Sequence, residues 1–73
     1  MLGPRDHNRK AIEYFEQVLK RKSDHHKSLY LIGSIHFKEG NFKGAESYLK
    51  KALQIKGDYI PALVCMGNLL FEN

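Results

Sequence analysis

The sequence has no tryptophan, two prolines and one cysteine, Cys65, in 73 residues. A lone cysteine excludes an intrachain disulfide framework, so nothing in the chain points to an oxidising compartment. No apolar run approaches the roughly 18 residues of a membrane-spanning helix. The segment from Met1 to Arg5 is neither an apolar signal sequence nor an Arg-rich leader, and a cytoplasmic location is expected. The alternation of apolar and polar residues that marks strands is missing, as are low-complexity tracts. No Ser-His-Asp set, phosphate loop or carboxylate pair can be assembled, so neither catalysis nor a cofactor is expected.

Aspartate and glutamate are also outnumbered, 8 against 12 lysines and arginines, for a net charge of +4. That excess permits attraction to acidic partners or nucleic acid, but it is common on ordinary helical surfaces. With 42% hydrophobic and 27% charged residues, the composition is that of a folded, globular chain. At this length it forms one domain at most and buries only about 60% of the surface its unfolded form exposes.

Apolar residues recur at three- and four-residue steps, which predicts four helices at about 8–22, 25–38, 42–56 and 60–71. Asp6 or Asn8 is placed to cap the first, with Lys20, Arg21 and Lys22 at its negative dipole end. Ser23 and Asp24 offer capping chemistry to the second. Gly40 and Asn41 end it, Gly57 and Asp58 end the third, and Pro61 suits the first turn of the fourth. Links this short force antiparallel neighbours.

The chain repeats at a spacing of 34: Ala11 falls on Ala45, Tyr14 on Tyr48, Leu19 on Leu53 and Lys22 on Lys56. The register continues through Asp24 and Asp58, Leu29 and Leu63, Gly33 and Gly67, Phe37 and Phe71. A 34-residue period in a helical pattern indicates stacked helix hairpins. From His26 to Tyr59, Leu29, Ile32, Gly33 and His36 on one helix and Ala45, Leu49 and Ala52 on the next make a pattern of large and small residues. The glycine and alanines permit close helix approach while the larger side chains fill the seam. This pattern resembles the tetratricopeptide repeat. Leu29, His36 and Gly57 stand where the family often has Trp, Tyr and Pro.

The resemblance implies an all-α, right-handed solenoid. It divides the chain into the second helix of one repeat (1–25), a complete repeat (26–59) and the first helix of another (60–73). Two apolar faces are then left without their usual neighbours. Ala11, Phe15 and Val18 form one, and Leu63, Met66, Gly67 and Leu70 the other. Either the neighbouring helices of a longer array or a second copy stacked head to tail would cover them. For the isolated chain a homo-oligomer is expected.

The resemblance further implies a protein-interaction module that binds peptide or helical segments on a concave face. Its lining would be Lys27, Tyr30, Ser34, Phe37 and Lys38 with Val64, Asn68, Phe71 and Glu72. The carboxylate clamp of chaperone-binding members is not matched, because only Asn68 of the corresponding positions fits. His7, His25, His26 and His36 lack ligand spacing, so no metal is expected. A solvated His25–His26 pair, a partly buried His36 and a packing role for Cys65 are expected instead. Nucleic-acid binding through Arg5, Arg9, Lys10, Lys20, Arg21, Lys22, Lys50 and Lys51 is the alternative function. Interspersed Glu13, Glu16 and Glu46 break that surface into no clean stripe.

Overall fold

The computed structural model describes residues 4–72, with side chains from His7 onward. Four helices run in order, α1 Pro4–Arg21, α2 His26–Lys38, α3 Phe42–Ile55 and α4 Ile60–Glu72, and no strand occurs among the described residues. Helix α2 is central. It packs against α1, α3 and α4, while α4 also packs on α3.

The helix ends explain the turns. Gly40 takes φ 82°, the left-handed conformation that a Cβ would disfavour. Its N–H donates to the Phe37 carbonyl at 3.0 Å, and that of Asn41 to the His36 carbonyl at 2.9 Å. Together these bonds close α2 in the paired pattern typical of a glycine-terminated helix. Asn41 does not share the left-handed geometry; at φ −86° it caps α3 by accepting the Gly44 N–H at 3.2 Å. Gly57, by contrast, has no positive φ. Helix α3 ends at Ile55, with Lys56 extended, and the chain turns at Gly57 and Asp58, where the sequence places the end of the helix.

Two further expectations change. Helix α1 begins at Pro4, not near residue 8, because a proline in the first turn gives up only an N–H that would have no helical acceptor anyway. Asn8 is therefore inside the helix, where its side-chain amide donates to Glu39 Oε2 at 3.3 Å and ties α1 to the end of α2. The cap of α2 is His25 rather than Ser23 or Asp24. Its Nδ1 accepts the Ser28 N–H at 3.2 Å and lies 2.6 Å from the Ser28 hydroxyl.

The buried hydrophobic side chains are Leu29 and Ile32 of α2, Ala45, Leu49 and Ala52 of α3, and Ala62 and Leu69 of α4, among the described residues. The α2–α3 seam is tight at one point: a Cβ on Gly33 would lie 3.0 Å from Leu49 Cγ and 3.3 Å from the Ala45 carbonyl oxygen. That distance leaves room for hydrogen and nothing larger.

Candidate interaction surfaces

The spacing of Lys27, Tyr30, Ser34, Phe37 and Lys38 sets them along one face of α2, and that of Val64, Asn68 and Phe71 along one face of α4, the helix α2 packs against. The two sets differ in exposure. Lys27, Lys38, Val64, Asn68, Phe71 and Glu72 are exposed, Phe71 to 90%. Tyr30 and Phe37 are half-buried against the core, Tyr30 edge-on to Tyr59 at 5.6 Å and Phe37 against Phe42 at 5.6 Å. Ser34 is half-buried, and its hydroxyl donates to the Leu31 carbonyl at 2.9 Å. Among the apolar residues of this face, those on α4 are therefore the more open to a ligand.

Helix α4 is apolar on its outward sides as well. Ile60, Leu63, Val64, Leu70 and Phe71 are all exposed large hydrophobics, and Met66 is half-buried. A Cβ on Gly67 would meet nothing within 4 Å. Gly33 and Gly67 thus hold equivalent places in the 34-residue register and opposite surroundings. Glu72 is the single charged residue of α4.

At the other end, Ala11, Phe15 and Val18 on α1 are half-buried. Phe15 and Val18 do not merely lie on a helix face. With Tyr14 they form one wall of a cleft of about 410 Å³, whose other side is His25, Lys27, Ser28 and Leu31 from the start of α2. Tyr14, His25 and Leu31 were not among the expected contact residues. Their signal was in the register all along, because Leu31 and His25 correspond to Cys65 and Tyr59.

The histidines have defined neighbours. His25 and His26 are half-buried rather than solvated, which corrects that expectation: His25 caps α2, and the His26 ring meets Tyr59 edge-on at 4.7 Å. His36 is half-buried and stacks on Tyr48 at 5.6 Å and 15°, with Nδ1 3.2 Å from Asn41 Nδ2. Burial, and secondarily the negative charge of Glu16, push the Tyr48 phenol above its ordinary pKa. Burial also pushes the Cys65 thiol up, as fits its half-buried place against the core.

Of the basic residues, Lys50 pairs with Glu46 at 3.3 Å and Lys51 lies 5.4 Å from the centre of the Tyr48 ring. Arg9, Lys10, Lys20, Arg21 and Lys22 are exposed, while the side chain of Arg5 lies outside those described. No helix among the described residues is long and apolar enough to cross a membrane.

Comparison with known families matches the tetratricopeptide repeat over residues 26–59. Comparison with curated proteins and with solved structures found no match. The matched segment runs from the first residue of α2, through the glycine-to-leucine seam and α3, to the turn before α4. Residues 26–59, folded as α2, its turn, α3 and the link to α4, are therefore a tetratricopeptide repeat.

Proposed function

We propose that the protein is a non-enzymatic interaction module with α4 as its principal contact element. Helices α1 and α4 are read as half repeats flanking the complete one. The observation that carries the reading is the exposure of Leu63, Val64, Leu70 and Phe71 on a helix whose only charge is Glu72. So large an apolar surface on so small a domain is unfavourable in water and favours burial against another protein. Val64, Asn68 and Phe71, with Lys27, Tyr30, Ser34, Phe37 and Lys38, offer an apolar strip with flanking cations to a peptide or helical segment. Leu63, Met66, Gly67 and Leu70 offer α4's other face to the Ala11, Phe15 and Val18 face of another molecule.

Light scattering over a wide concentration range tests the reading. The mass of the wild-type chain is expected to rise with concentration, and Leu70→Lys, at a position already 67% exposed, is expected to suppress that rise without unfolding the chain. A wild type that stays monomeric at the highest concentration refutes self-association.

A further inference from the structure

The internal repeat specifies how two copies would meet. Within the chain, α2 packs against both α3 and α4, with Gly33 against Leu49, and Leu49, Ala52 and Ala62 are fully buried. Thirty-four residues earlier the corresponding positions are Phe15, Val18 and Ser28, and these line the open cleft between α1 and α2. The helix that corresponds to α2, 34 residues later, is α4.

We propose that the cleft between α1 and α2 receives α4 of a second copy, in the register that α2 already occupies inside the chain. The proposal rests on the self-association reading above and adds its geometry. Gly67 of one copy would face Phe15 and Ala11 of the next as Gly33 faces Leu49 and Ala45. Leu70 would lie against Tyr14, each about two-thirds exposed in the single chain, as His36 lies against Tyr48. Ile60 and Val64 would meet His25 as His26 and Tyr30 meet Tyr59.

Area and charge both agree with this occupant. At roughly 150–200 Å² per large side chain, the exposed fractions of Ile60, Leu63, Val64 and Leu70 amount to about 400 Å² of apolar surface. A stable interface covers about 800 Å² on each partner, of which somewhat more than half is apolar. Helix α4 therefore carries about the apolar share that a stable contact needs. The register also brings Glu72, beside Phe71, towards the first turns of the next α1, where Arg9 and Lys10 are exposed.

Because the two contacting surfaces differ, each copy contributes one α4 and one cleft, and the head-to-tail contact either closes on itself or propagates.

Directional cross-linking tests the register. Two chains are prepared in a Cys65→Ser background, one with Gly67→Cys and one with Phe15→Cys, and mixed in a glutathione redox buffer. A Cβ at position 33 lies 3.0 Å from Leu49 Cγ, so cysteines at the corresponding places would be near disulfide reach. The expected dominant product is the mixed 67–15 dimer. The pair Leu70→Cys and Tyr14→Cys repeats the test at two exposed positions that do not threaten folding. Self-association in which homodimers dominate, or in which neither mixed pair cross-links, overturns the register while leaving self-association intact. A chain that is monomeric by light scattering overturns both.

Discussion

Adding one methyl group at each of two equivalent glycines should have opposite consequences. Glycine in a helix interior is about 0.8–1 kcal/mol less favourable than alanine, so Gly67→Ala, with no atom within 4 Å of the new Cβ, should stabilise the monomer by about that amount. Gly33→Ala gains the same propensity but sets its Cβ 3.0 Å from Leu49 Cγ and 3.3 Å from the Ala45 carbonyl oxygen. Leu49 is fully buried and the carbonyl is fixed in α3, so neither neighbour yields without moving the helix. Overpacking of this kind costs about 1–3 kcal/mol, which makes Gly33→Ala neutral to destabilising by about 2 kcal/mol. The separation between the two variants is the overpacking cost itself. At about 4–8 °C per kcal/mol for a domain of this size, it is readily measured as a difference in Tm. Helical circular dichroism, followed through thermal and urea unfolding at low micromolar concentration, keeps the comparison to monomers. Two variants of equal stability would refute the assignment of Gly33 to a closed seam and Gly67 to an open one.

Two other measurements probe separate parts of the structure. Gly40→Ala forces a Cβ into the left-handed conformation at φ 82° and is expected to lower stability by about 1–2 kcal/mol in urea unfolding, whereas Gly57→Ala, in ordinary backbone geometry, should not. The Cys65 thiol, raised by burial from an ordinary value of 9.0, should react with a thiol reagent at pH 8 more slowly than an unfolded control and speed up in denaturant. The sign of the linkage is definite. The native state disfavours the thiolate, so the contribution is complete below the unfolded pKa and is lost as pH rises through the higher folded value. Stability should fall on the alkaline side, and Tyr48, also raised, acts in the same direction.

Much of the architecture was legible before any coordinates. The apolar spacing located all four helices, and the small residues at Gly33, Ala45 and Ala52 marked the seam that the structure closes around Leu49. Helix ends were harder to read because several groups compete for each cap. Asn8 was a plausible cap for α1 yet bonds to Glu39 on another helix, and His25 outcompeted Ser23 and Asp24. The cleft between α1 and α2 was partly visible. Phe15 and Val18 follow from the 34-residue register, but the wall formed by His25, Lys27 and Leu31 depends on how α2 leans on α1. The aromatic residues Tyr30 and Phe37 lie on the anticipated face, and only packing against Tyr59 and Phe42 reveals how much of them is covered.

Periodicity and residue size alone determined the helices, their antiparallel order and the repeat, because these depend on neighbours within a few positions or one hairpin away. The surroundings of each face were decided by the tertiary structure. Gly33 and Gly67 are the same residue at the same place in the repeat, and no local rule separates them. One is pressed against Leu49, and the other faces open space, because α3 returns across α2 while no described helix returns across α4.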